Sequence, residues 1–303
     1  MRCRRSTKHQ ARPKIAVLGL STGYSLTSTI GPPESGKASL NRWVLVIVII
    51  GIVIVGALFS LIYYSTAQVS SKTFSYSPAQ DARGSYSSLS ISNVDGLVTV
   101  VPWSQPTVLI NGTVTAKGLG SSLSTVNLIS SSSNGDIAFQ ALFPASAGFF
   151  LSQSYTANIN VFVPSTIRFT TVQVSNVNGG VRIESLNSTI VKLTTVNGGV
   201  SVDCVYCLNM TAASTNGNIA ATFAALIPEG SYNLTAPNAN LNFTAPSSAS
   251  FRLSASDLNG SIQILGFSGM FTTTQTSFNH TFGTDGANVN IKSVNGQITI
   301  TGT

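Results

Sequence analysis

Apolar residues follow two regimes along this chain, one continuous and one alternating. From Trp43 to Tyr64 the sequence WVLVIVIIGIVIVGALFSLIYY runs through 22 positions without a charge. At about 1.5 Å rise per residue such a helix crosses a hydrocarbon core about 30 Å thick. A transmembrane helix is therefore predicted over 43–64, with Trp43 at one headgroup level and Tyr63 and Tyr64 at the other. A cleaved signal sequence is the competing reading, because Ser65-Thr66-Ala67 offers small residues for cleavage. The apolar run is longer than a signal core and follows a 42-residue leader, so an uncleaved anchor is the expectation.

After a Ser-rich stretch read as a connector, 65–88, the pattern becomes short alternating segments around an Asx-Gly pair. LSISNVDGLVTV begins at Leu89, VQVSNVNGGVRI at Val172, VKLTTVNGGVSV at Val191, LSASDLNGSIQI at Leu253 and VNIKSVNGQITI at Val289, with weaker copies around Asn134, Asn216 and Asn238. The turn residues are Asp95, Asn134, Asn178, Asn197, Asn216, Asn238, Asn259 and Asn295. In all eight copies the positions six before, three after and five after the turn residue are apolar. The last two differ by two residues, which is the period of a strand with one buried face. Asn and Gly suit the turn because both tolerate the left-handed backbone region.

From Asn178 to Asn259 the turns are spaced 19, 19, 22 and 21 residues apart, a repeat length that signals a solenoid. The longer steps are near twice this, as though turns near Asn111, Asn158 and Asn279 had lost the signature; counting them gives about eleven rungs. Two architectures fit: a parallel β-solenoid over 89–303 with the Asx residues stacked as a ladder, or an antiparallel hairpin array or sandwich with Asn-Gly as a two-residue hairpin loop. The solenoid is preferred because it places Asn178, Asn197 and Asn216 above one another, where their amides hydrogen-bond.

Composition changes this picture in one respect. Lys and Arg number 16 against 9 Asp and Glu, but residues 1–42 hold eight of the basic residues and only one acid, Glu34. The remainder is neutral, so nucleic acid is excluded as a partner of the large C-terminal part. Arg42 and Lys37 precede the apolar helix, and the first charge after it is Lys72. The positive-inside rule then places a disordered basic tail, 1–42, in the cytoplasm and the C-terminal domain outside, in a single-pass membrane protein.

The repeated S-x-V/L-N-G units, the step Val161 to Pro164 and the terminal IKSVNGQITITG resemble the adhesin-like β-solenoid family of bacteria and archaea, over residues 86–303. The resemblance implies a β-helical surface module beside a membrane anchor. Its motif marks corners, so it carries over no reactive residue.

Chemistry is sparse. Beyond the helix stand one histidine, His280, and eight carboxylates, Asp81, Asp95, Asp136, Glu184, Asp203, Glu229, Asp257 and Asp285. No nucleophile, phosphate-loop or zinc motif is present, and no carboxylate cluster of the kind a solenoid polysaccharide lyase uses. The chain therefore reads as a non-enzyme without catalytic, cofactor or metal residues. Cys204 and Cys207 are expected to form a local disulfide outside the cell, so short that Cys207→Ser leaves folding nearly intact. Candidate glycosylation sites are Asn111, Asn187, Asn209, Asn233, Asn242, Asn259 and Asn279, a number that composition alone explains.

The expected function is adhesion or envelope structure, with surface glycans or envelope proteins as partners. The alternative is an envelope-stress sensor whose outer domain binds a peptide or lipid and whose basic tail signals inside. The segment SVNGQITITGT supplies no cap to its rung, so its strand edge is expected to be shielded by neighbouring loops such as the turn from Gly283 to Gly286, with self-association of two copies edge to edge as the alternative.

Overall fold

The computed structural model describes residues 42–67, 69–78, 86–118, 121–144, 153–267, 271–273, 276–284 and 286–303. The basic tail, with the disorder expected of it, lies outside the described residues but for Arg42. Helix α1 (Arg42–Ala67) contains a 21-residue span, Val44–Tyr64, of mean hydropathy 3.2, long and apolar enough to cross a membrane. Its described side chains are exposed, as lipid-facing residues would be.

The β domain begins earlier than the repeat suggested. Within the predicted connector lies β1 (Val69–Tyr76), followed by β2 (Ser88–Asp95), β3 (Val98–Trp103), β4 (Leu109–Lys117), one 3-10 turn (Leu123–Thr125), β5 (Asn127–Ser133), β6 (Asp136–Leu142) and β7 (Ser154–Pro164). Then come β8 (Phe169–Asn178), β9 (Val181–Thr195), β10 (Val200–Ser214), β11 (Ile219–Phe223), β12 (Ser231–Ala236) and β13 (Leu241–Ala245). The last are β14 (Phe251–Asp257), β15 (Ser261–Leu265), β16 (Phe271–Thr273), β17 (Ser277–Phe282), β18 (Ala287–Ser293) and β19 (Gln297–Gly302). The connector reading fails for β1 because Val69 to Tyr76 pairs residue for residue with Lys117 to Ile110 of β4.

Strands before the corner turns, together with the antiparallel β5–β6 hairpin and β17, form one ladder, in the order β5-β6-β2-β8-β9-β10-β12-β18-β14-β17. Strands after the corner turns, together with β1, β4, β7 and β16, form the other, β1-β4-β7-β3-β9-β10-β11-β13-β19-β15-β16. The long strands β9 and β10 pass through a bend from the second ladder into the first and join the two. Side chains from both ladders meet in a single buried cluster. Of the apolar positions defined by the repeat, only Leu128 is less than fully buried; it packs against the cluster beside Phe74. The interior pairings are parallel, as a solenoid requires.

Antiparallel strands close both ends of the ladders, which corrects the count of about eleven rungs. Asn111 and Asn158 are not lost turns: they lie in β4 and β7, paired antiparallel. Asn279 lies in β17, antiparallel to β14. Asn134-Gly135 is likewise no corner. It is the two-residue loop of the β5–β6 hairpin, with φ of 52° and 80° at its residues, and so the hairpin alternative holds at this one turn.

The open C-terminal edge is also corrected. The last unit does not follow the Asn259 unit in space; β18 lies between β12 and β14, and β19 between β13 and β15. Both flanks of β19 are hydrogen-bonded, so self-association through that edge has no free strand to use.

Candidate binding surface

The corners show why the repeat reads Asn-Gly. Asn197 Nδ2 donates to Asn178 Oδ1 at 2.8 Å, Asn216 Nδ2 to Asn197 Oδ1 at 2.8 Å and Asn238 Nδ2 to Asn216 Oδ1 at 3.1 Å. The ladder continues out of sequence order, from Asn295 Nδ2 to Asn238 Oδ1 at 2.9 Å and from Asn259 Nδ2 to Asn295 Oδ1 at 2.7 Å. Asn134, in its hairpin, lies outside it. The glycines after Asn178, Asn197 and Asn216 have a different role from the left-handed backbone expected of them: at Gly179, Gly198 and Gly217 the φ is ordinary, and the carbonyl of the adjacent rung's glycine stands where a Cβ would be.

Asp95 pairs with Asn178 in strand register and differs from its neighbours in being ionisable. Burial pushes its carboxyl above the ordinary 3.8, opposed in part by a hydrogen bond with the Gly96 backbone. A raised carboxyl pKa means that the fold favours the protonated form. The contribution of Asp95 to stability is therefore complete below pH 3.8 and lost as pH rises through the folded value. Asp95→Asn is expected to melt close to the wild type at pH 3 and above it at pH 7; an equal gap at both would contradict this.

A second column went unrecognised in the sequence. Two residues before the turn, where strand alternation calls for an inward side chain, stand Asn93, Asn176, Thr195, Ser214, Asp257 and Ser293, all buried. They satisfy the turn backbones: Asn176 Nδ2 donates to Gly96 O at 2.6 Å, Thr195 Oγ1 to Gly179 O at 3.0 Å and Ser214 Oγ to Gly198 O at 2.8 Å. Gly260 N donates to Asp257 Oδ1 at 3.1 Å. The signal available was a polar residue at inward parity in nearly every copy, since an unpaired buried backbone group costs about 1–3 kcal/mol.

The opposite corner carries the cysteines. Cys204 and Cys207 are joined in a disulfide, Cα to Cα 6.0 Å, at the bend where β10 changes ladders, and both are fully buried. Between them Tyr206 faces outward beneath the Arg168 guanidinium, 3.6 Å from the ring centroid, and Arg168 Nε donates to Asn187 Oδ1 at 3.1 Å. Burial revises the expectation for Cys207→Ser: a serine hydroxyl without a partner here costs about 1–3 kcal/mol. Replacing both cysteines by alanine should cost less, and thermal melts of the two variants would show the order. A single serine variant as stable as the wild type would contradict it.

Of the candidate glycosylation residues, Asn242, Asn259 and Asn279 are exposed, and Asn111, Asn187, Asn209 and Asn233 are half-buried. Among the described residues no group of three or more His, Cys, Asp or Glu side chains is placed to hold a metal ion. The surface instead offers regular arrays of amides and hydroxyls. On the outward face of the first ladder a cavity of about 580 Å³ opens where β17, β14 and β18 lie side by side, lined by Arg252, Leu253, Ser254, Asn279, His280, Thr281, Asn288 and Asn290.

Together these features define a parallel β-solenoid module with an apolar helix before it. The match of residues 66–301 to the Toastrack family, DUF4097, places the chain in that family. No curated protein matches the sequence. Among solved structures, a "putative cell adhesion protein" of Clostridium sporogenes is 11% identical, with a TM-score of 0.41, covering 78% of this chain and 100% of its own. A "putative adhesin" of Bacteroides fragilis is 10% identical, with a TM-score of 0.31, covering 76% and 97%. Another from Parabacteroides merdae is 10% identical, with a TM-score of 0.27, covering 79% and 98%.

Proposed function

We propose that this is a single-pass membrane protein with its N-terminus in the cytoplasm, presenting the solenoid outside the cell for adhesion or envelope structure, without catalysis. The observation that carries the reading is the pairing of an apolar 21-residue span with a β domain whose outward positions are repeated amides and hydroxyls. The charge before the helix supports the orientation. The buried polar column supports rigidity, since Asn93, Asn176, Thr195, Ser214 and Ser293 each donate to a backbone carbonyl of a neighbouring rung or strand. A rigid, low-charge, repetitive face suits binding to a repetitive partner such as a surface glycan or an envelope protein.

Full-length protein in neutral lipid nanodiscs is expected to be retained on isolated envelope preparations and on intact cells. Absence of retention on both would overturn the adhesion reading.

A further inference from the structure

We infer that the outward face formed by β17, β14, β18 and β12 binds the carboxylate-bearing sugars of an acidic polysaccharide, with Arg252 as the carboxylate anchor. The inference rests on the adhesion reading above and gives it a ligand.

Strand register fixes the site. Thr281, Arg252, Asn288 and Ser231 form one row across the four strands, and Asn279, Ser254, Asn290 and Asn233 form the next. A third row holds Ser277, Ser256, Lys292 and Thr235. Neighbours lie about 4.8 Å apart across strands, and rows about 6.8 Å apart along them. Ser254, short among longer residues, is among those that line the cavity of about 580 Å³.

The chemistry follows from what these side chains offer. Each amide presents a donor and an acceptor at one point, as a sugar hydroxyl does. Asn290 Nδ2 donates to Asn233 Oδ1 at 3.2 Å and Asn233 Nδ2 to Ser231 Oγ at 3.1 Å, so these amides are ordered before a ligand arrives. Arg252 is exposed and pairs with no described residue; the ion pair found among them, Arg182 with Glu184, belongs to the other ladder. A guanidinium fork in that state matches a carboxylate with two parallel hydrogen bonds. Along this ladder from β8 to β17, the described strand residues facing outward include Lys192, Lys292 and Arg252 and no carboxylate, so the field there favours an acidic chain. No apolar or aromatic side chain faces outward in the three rows, which disfavours a membrane surface as the occupant. Asn279 also begins a sequon, and a glycan there would fill the cavity; the binding role requires Asn279 to be unmodified.

The test uses full-length protein in phosphatidylcholine nanodiscs, with trigalacturonic acid as the probe and its methyl ester as the uncharged control. Trigalacturonate should bind and the ester should bind at least about tenfold more weakly, the equivalent of one charged hydrogen bond. Arg252→Ala should bring the acid down to the ester's level with the melting temperature unchanged, and Arg252→Lys should recover part of the loss. Ser254→Leu should block both ligands. No binding of trigalacturonate, equal binding by Arg252→Ala, Arg252-dependent capture of phosphatidylglycerol vesicles in place of the sugar, or a glycan found on Asn279 of protein from its native cells would each overturn the inference. If the protein is retained on envelopes yet ignores trigalacturonate, this inference fails and adhesion stands; if it is retained on neither, adhesion itself fails.

Discussion

Gly198→Ala is expected to destabilise the β domain by about 3 kcal/mol or more, the upper range for overpacking a closed site. The added Cβ would meet the carbonyl of Gly179 and the backbone of Gly180, and neither can yield without separating two rungs. The adjacent Gly199→Ala is the control. Its Cβ would meet only Asn218 O at 3.2 Å, and its φ is not in the left-handed region. That change should alter stability by less than about 1 kcal/mol, partly offset by the reduced freedom of the unfolded chain. Denaturant unfolding of the two variants measures the difference. Equal losses would mean that the corner glycines are selected for backbone conformation and not for the close stacking of rungs.

Phe251→Ala is expected to cost about 3–5 kcal/mol, as for large aromatic truncations in a core. Phe251 is fully buried, with ring centroids of Phe282 at 4.7 Å, Phe267 at 5.3 Å and Phe243 at 6.0 Å. The chain of rings continues from Phe243 to Phe223 at 5.2 Å and to Tyr232 at 4.8 Å, so the truncation removes the last interior link before the β17 end. Tyr232 is itself held at both functions of its hydroxyl, donating to Cys207 O at 2.7 Å and accepting from Ile227 N at 3.0 Å. Amide exchange should report the loss first in β14 and β17. A cost below about 1.5 kcal/mol would show that neighbouring rings collapse into the space.

Side-chain parity was legible in the sequence to a degree that spatial order was not. Val98, Val181, Val200, Ile219, Leu241, Ile262 and Ile298 all stand three residues after a turn, and all are buried in the same ladder. An alternating pattern states which face of a strand is inward; it carries nothing about which strand lies alongside. That is why the Asn295 unit could be recognised as a repeat while its place between Asn238 and Asn259 could not. Strands β16 and β17, short and antiparallel, occupy the intervening sequence and let the chain return to fill the gap. The polar column was hidden for a related reason. Thr195 and Ser214 break the apolar alternation, and a broken alternation next to a turn reads as the end of a strand unless the backbone groups to be satisfied are known.

The proposed binding face lay further from reach. Arg252 stands 27 residues before Asn279 and 38 before Asn290, and only the strand order β17-β14-β18 brings them together. In the sequence Arg252 is one isolated cation and Asn279 a sequon among many. The Cys204 and Cys207 pair, by contrast, is local, and the separation of three residues is sufficient for its recognition.

The central claim is that the solenoid is held outside the cell by an uncleaved helix with the basic tail inside, and its most direct test is the sidedness of the two ends. A tag placed after Thr303 should bind antibody on intact cells, and a tag placed before Met1 should bind only after permeabilisation, with both tags on one polypeptide of full length. Antibody reaching the first tag only after permeabilisation, or a mature protein that has lost the N-terminal tag by cleavage after Ala67, would contradict the account.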